Sequence, residues 1–417
     1  MTLTPSPSEV TTTASLEGLK IIDTDSHFTE PPDLWSSRGP ASWKDRLPTQ
    51  RTVDGKTHWF LDGQPWASIG GNTLRRGREK VLGEWVMQPF DAIDPCAWSV
   101  KERLELLDEI GIYAQVLYPN GIGFSSNHIF AIDDIEQRVV VLQTLNDFYV
   151  DIQHESGDRL LPQAMLPIWD MDFTVREMTR LVDKGIRGFT LSDRPELLGL
   201  PELNNRYFDP MWETFDSTRT VANFHIGSGN RRDEVEARRA LMLQAAPSNE
   251  VPRVANPSWS SFGPMRQLAV TAIQGYMSNA RIITNMVMSD LFDRFEHLKI
   301  VSAESGIGWI PFLLESIEWQ LDEMVVAPSE AGLAKRRPRE YFNDHFFVMF
   351  WFERHGPQHA IKEIGVENVL VETDIPHPTC KYPGARAHFA EVLSGLDAYT
   401  VRRVLQDNAA EIYKLKL

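Results

Sequence analysis

The chain has 417 residues, 42% of them hydrophobic, and 58 Asp and Glu against 42 Lys and Arg for a formal charge of −16. That length and apolar share can bury one large core, while so acidic a surface repels the phosphate backbone of nucleic acid. Cys96 and Cys380 are too few for a disulfide scaffold or a thiolate cluster, no run is long and apolar enough to cross a bilayer, and a cytoplasmic protein without membrane or nucleic-acid partners is expected.

Residues 1–18 read as a flexible tail, and 19–417 as one domain. The run Lys20-Ile21-Ile22-Asp23-Thr24-Asp25-Ser26-His27 is a strand that ends in a carboxylate and an imidazole two residues apart, which puts both on one face, where they can grip a metal ion. A long insertion, about 36–95, follows it and reads as cover for an active site; its Trp59 serves equally well as local core or as an aromatic pocket wall. Apolar spacing predicts a helix over 100–110, a strand over 114–120, a long helix through 146–154, a strand over 164–170, a helix over 172–184 and a strand over 185–191. Such alternation is the signature of β-α units around a parallel sheet.

Three further apolar runs end in polar side chains. Val221 to Phe224 delivers His225 before glycines, Ile300 to Ala303 delivers Glu304, and Val369 to Val371 leads to Asp374 with His377 between prolines. Each alone is a weak signal, and a lone histidine after a strand is more often structural. Together with Asp25 and His27 they describe one site at the carboxyl ends of the strands of an elaborated (β/α)8 TIM barrel. A second insertion, about 231–264, opens with a charged run in which Arg231 and Arg232 are candidates for holding an anionic substrate, although a solvated helix explains the run more simply. Glu353, after the strand-like Phe346 to Phe352, is a weaker candidate for substrate contact, and residues 398–413 read as a closing helix.

With the I-I-D-T-D-S-H opening, His225, Glu304-Ser305-Gly306 and Asp374 in place, the chain resembles the amidohydrolase superfamily, in the branch of aminocarboxymuconate semialdehyde and gamma-resorcylate decarboxylases. The resemblance implies that Asp25, His27, His225 and Asp374 are metal ligands. It also marks a departure, because those decarboxylases carry a catalytic histidine where this chain has Glu304, a carboxylate able to bind a second ion.

The expected chemistry is hydrolysis. One divalent ion or two, zinc, iron or manganese, would activate water against a carbonyl, with Asp374 and Glu304 as candidate bases and His377 as acid or orienter. An acyl thioester such as an acyl-CoA is the preferred substrate, with an ester or amide close behind. Non-oxidative decarboxylation of an aromatic or enoic acid is the alternative, disfavoured by Glu304. A retired binding barrel is the third, disfavoured by four intact ligands. A dimer is the expected assembly.

Overall fold

The computed structural model describes residues 14–53, 56–82, 90–229 and 264–417. Its core is a parallel sheet system whose strands are buried on both faces, which is why they read in sequence as apolar runs rather than as alternating ones. One sheet runs β1 (Ile22–Phe28), β2 (Ala114–Pro119) and β3 (Leu160–Pro162). The other runs β4 (Ala164–Met165), β5 (Gly188–Thr190), β6 (Val221–His225), β7 (Lys299–Ala303), β8 (Phe346–Phe350) and β9 (Val369–Val371).

Only Gln163 separates β3 from β4, so the two are halves of one position and the strands fill the layout of a (β/α)8 barrel. Between β1 and the segment following β9 the contact is an isolated bridge, Ser26 to Ile375. Inside, Ile22, Val116, Leu161, Val221, Val301, Phe347, Met349 and Leu370 form a cluster floored by Ala409, Ile412 and Tyr413 of the C-terminal helices. The Tyr118 and Tyr413 hydroxyls both donate to Asn223 Oδ1, at 3.0 and 2.7 Å.

Helices wrap the outside. Val100–Ile110 ends at Gly111, whose positive φ of 72° lets its N–H reach back to Leu107 O. Ile135–Glu155 starts at Asp134, whose carboxylate accepts from the Glu136 and Gln137 amides. The strand expected over 164–170 is much shorter, because Pro167 precedes a turn there and the pairing is shared with β3. Residues 14–18, expected within a flexible tail, are tied down: Leu16 is buried and Ala14 N donates to Ala390 O. The first insertion contains a three-stranded antiparallel sheet, Thr49–Val53, Lys56–Leu61 and Gln64–Ser68.

Candidate metal centre

The register of β1 on β2 slips by one residue between Asp23 and Ser26, a bulge just where the strand must present its ligands. His27 Nε2 lies 3.5 Å from Asp25 Oδ1 and 3.4 Å from Asp374 Oδ1. His225, the last residue of β6, places Nε2 3.3 Å from both Asp25 Oδ2 and Glu304 Oε2. Glu304 and Asp374 hold left-handed backbone, φ 50° and 60°, a conformation that costs a non-glycine residue about 1 kcal/mol or more and here turns each carboxylate out of its strand. His377 Nδ1 is 2.8 Å from Asp374 Oδ1. Five side chains that the sequence scatters over 350 positions thus meet with His377 in one site.

Both Asp25 oxygens, His27 Nε2 and His225 Nε2 are buried without a hydrogen-bond partner. Buried polar atoms are rarely left so, and a shared cation satisfies all four at once. The donor atoms fall into two sets sharing His27, one of Asp25, His27 and His225 and one of His27, Glu304, Asp374 and His377, each within 4.8 Å. Mixed imidazole and carboxylate donors without thiolate suit zinc, manganese or iron. The electrostatics agree. Burial, with Asp374 and Asp23 nearby, pushes Asp25 well above the usual carboxylate range. Burial and the Asp374 charge do the same to Glu304. Burial and His377 push His27 down to about 3, which keeps it in the neutral form a metal needs. Asp374 is also opposed by burial, yet His377 and His27 outweigh it and hold this carboxyl below its ordinary value.

Asp25, His27, His225 and Asp374 are fully buried, whereas Glu304 and His377 keep 9% and 5% exposure, so the site opens on their side. Half-buried Phe124 walls it, its ring 4.0 Å from that of His225. Tyr276 stands near Glu304 and Asp374, its phenol raised by burial and by their charges.

Several supporting residues carried no signal in the sequence reading. Asp23 Oδ1 accepts from Thr373 N at 2.8 Å and Asp25 N at 3.2 Å, and its Oδ2 accepts from Gln115 Nε2 at 2.6 Å. Gln115 is held in turn by Arg103 Nη1 at 3.0 Å, and Arg103 Nη2 donates to His27 O at 2.8 Å. Glu372 accepts from Glu304 N at 3.2 Å and leaves Oε1 buried and unpartnered. Two expected substrate contacts lie elsewhere. Trp59 is fully buried edge-on to Trp35, 4.6 Å between rings, in a local core. Glu353 turns onto the Ile307 and Gly308 amides at 3.0 and 2.8 Å and braces the loop after Glu304. Arg231 and Arg232 lie outside the described residues, as does most of the second insertion.

Comparison with known proteins places these features in context. The amidohydrolase family model matches residues 124–415. A gamma-resorcylate decarboxylase of Rhizobium sp. (strain MTP-10005) is 25% identical over 288 residues, 66% of this chain and 76% of the relative. An amidohydrolase of Mycobacterium avium subsp. paratuberculosis K-10 has a similar structure, with a TM-score of 0.67 and 16% identity over 96% of this chain and 99% of that one. A dihydroxybenzoic acid decarboxylase of Polaromonas sp. JS666, solved with manganese and the inhibitor 2-nitroresorcinol, matches with a TM-score of 0.57 and 20% identity over 95% and 97%.

Proposed function

Because the chain belongs to the amidohydrolase family, we propose that it is a metal-dependent, non-oxidative decarboxylase of a hydroxylated aromatic acid, with Asp25, His27, His225 and Asp374 as metal ligands and Glu304 beside them. The observation that carries the reading is the convergence of orphaned buried donors in a chain whose relative is a gamma-resorcylate decarboxylase. This reverses the preference for hydrolysis. The hydrolase reading leans on Glu304 standing where decarboxylases have histidine, yet the reaction asks only for a proton donor at the edge of the site that keeps some exposure, and Glu304 and His377 both stand there.

A bound divalent cation, manganese as in the Polaromonas protein, would neutralise the substrate carboxylate and the adjacent phenolate oxygen. The protein then has one covalent task. A proton from the Asp374–His377 pair or from Glu304 forms a C–H bond at the ring carbon that bears the carboxylate. The C–C bond to that carboxylate breaks, its electron pair restores the aromatic ring, and carbon dioxide leaves. No redox partner is needed. Phe124 supplies an apolar face for the ring, and the buried setting excludes bulk water.

The test is to load the purified protein with manganese or zinc and offer it gamma-resorcylate and other hydroxybenzoates beside acyl-CoA thioesters and aryl esters. Carbon dioxide release from a hydroxybenzoate supports the reading. Thioester or ester hydrolysis without carbon dioxide release overturns it and restores the hydrolase.

A further inference from the structure

The second insertion returns to the barrel through a helix, Pro264–Tyr276, and the turn after that helix is fastened to strands of the site. Asn279 is buried, and its Nδ2 donates to Phe224 O at 2.8 Å, to Ser302 Oγ at 3.0 Å and to Ala303 O at 3.4 Å. Phe224 precedes His225 and Ala303 precedes Glu304, so one amide ties the helix end to two strand ends that present site residues. A Cβ built on Gly275 would stand 3.6 Å from Ile226 Cδ1, which sets the last helical turn against the residue after His225 as well.

That anchoring carries Tyr276 to the site. Phe347 and Met349 of β8 face the barrel interior, and the alternation next reaches Trp351, fully buried past the end of the strand that separates β7 from β9. The Tyr276 ring stands edge-to-face with Trp351 at 5.2 Å and lies 5.6 Å from Phe352, which fixes its plane. Its hydroxyl meets that of Thr379, whose Oγ1 donates to Asp374 Oδ2 at 3.2 Å, and it feels the charges of Glu304 and Asp374. The ring is half-buried, so the phenol remains open to a ligand. Phe124 follows β2, which stands opposite β7 in the strand order of the barrel, and reaches His225 from there. Two aromatic side chains therefore border the site from opposite sides.

We propose that Tyr276 is a specificity-determining residue whose phenol hydroxyl hydrogen-bonds a second ring hydroxyl of the substrate, on the edge of the ring turned away from the ion. The proposal rests on the decarboxylase reading for the aromatic acid as substrate. In that reading the ion takes the carboxylate and one adjacent phenolate oxygen, which leaves the other flank of the carboxylate to meet Tyr276.

The choice of a hydroxyl follows from the charges around the phenol. Asp25, Glu304, Glu372 and Asp374 act on one another across this part of the site, so a second carboxylate on the ring would be repelled there. An ether oxygen has no hydrogen to give to the carboxylate oxygens nearby. A hydroxyl both donates and accepts, and it pairs with a phenol in either sense.

The test is calorimetric titration of the metal-loaded full chain with 2-nitroresorcinol and 2-nitrophenol. Both carry a nitro group in place of the carboxylate, so neither can release carbon dioxide, and they differ by the one ring hydroxyl in question. The native protein should bind 2-nitroresorcinol about 10-fold more tightly or better, the scale of one hydrogen bond made in a desolvated site. Tyr276→Phe keeps the ring against Trp351 and should remove most of that preference by weakening 2-nitroresorcinol while leaving 2-nitrophenol nearly unchanged. In turnover the same variant should raise KM for gamma-resorcylate more than for 2-hydroxybenzoate. Asn279→Ala, which unfastens the helix end, should lose part of the same preference. Equal affinity of the two analogues for the native protein, or no binding of either, overturns the proposal. So does a full preference retained in Tyr276→Phe, or in Asn279→Ala should the first variant not fold. A preference that disappears with the Tyr276 hydroxyl, in a protein that releases no carbon dioxide from any hydroxybenzoate, would instead reject the decarboxylase and leave the ring subsite standing.

Discussion

His225 and Glu304 are delivered by strands that pair residue for residue, from Val221 on Lys299 to His225 on Ala303, whereas Asp25, His27 and Asp374 lie along a seam where β1 and the segment after β9 share a single bridge. On the ladder side the paired backbones fix where the side chains emerge, with Asn279 tying Phe224 O and Ser302 Oγ together beside them. Along the seam the backbone contributes His27 N to Ile375 O and Asp374 N to Asp25 O, and the remaining order comes from buried side chains: Asp23 on Thr373 and Asp25, Gln115 on Asp23, Arg103 on Gln115. Three of the four proposed ligands thus border the seam, although β1 is anchored along its other edge to β2, with His27 opposite Tyr118. A seam held by side chains can set the separation of Asp25 and Asp374 independently of sheet geometry, at the cost of depending on residues that never touch the substrate.

The largest effects come from the ligands themselves and should not distinguish the two sides. His27→Ala or Asp374→Ala on the seam, and His225→Ala on the ladder, should each abolish turnover and lower metal content, because each leaves the other buried donors facing an incomplete cage. Elemental analysis of the purified variants checks this. Native metal content and turnover in any two of them would remove the site assignment. Next in size is Glu304→Gln, which keeps shape and loses the ionisable carboxyl; the fold should survive and kcat should fall by about 100-fold, the scale of a lost general acid.

A third comparison separates the two sides directly. Gln115→Leu, which breaks the chain from Arg103 to Asp23, should weaken metal binding by about 10–100-fold, as removal of a partner behind a ligand usually does. Asn279→Ala removes bonds to Phe224 O and Ser302 Oγ at 2.8 and 3.0 Å on the ladder side and should change metal affinity far less. Calorimetric titration of the two variants decides it. Equal losses would mean that the ladder is no more self-sufficient than the seam.

The same contrast explains what could be read in the sequence. Strands ending at His27, His225, Glu304 and Asp374 are legible because an apolar run broken by a charged residue is a local pattern, and the alternation of helices with such runs indicates the barrel. Asp23 sits in the same run as Asp25 and His27 and looks no different from them; only the structure shows its oxygens on Thr373 and Gln115, from the far end of the chain and from the next strand. Asn120, expected as the last residue of a strand over 114–120, lies just past its end at Pro119, and its contacts are with Gly70 and Thr29, which the insertion and the segment after the first strand bring to it. Trp59 and Glu353 show the converse, residues of suggestive type whose partners are Trp35 and two loop amides. Contacts between distant segments leave no periodicity, so the supporting layer of the site stays silent in the sequence.

The smallest effect on turnover, and a distinct one on stability, comes from two buried groups on opposite sides. Glu30, on the seam side, is raised by burial to about 7 from its ordinary 4.5. Its folded form holds the proton more tightly than the unfolded chain does, so its contribution to stability is complete below pH 4.5 and is lost as the pH climbs through 7. His345, beneath the ladder side with Nδ1 2.9 Å from Leu298 O and its ring stacked on Phe292, is lowered by burial to about 4 from 6.5. Its contribution runs the other way, complete above pH 6.5 and lost as the pH falls through 4. Denaturation measured against pH at saturating metal should therefore show the stability of the native protein over Glu30→Gln falling from pH 4.5 to 7, and that over His345→Asn rising from pH 4 to 6.5. Each change is at most about 3 kcal/mol, the value of the two shifts. Parallel slopes for the two variants would mean that one of these groups does not titrate between the folded and unfolded chains as its burial requires.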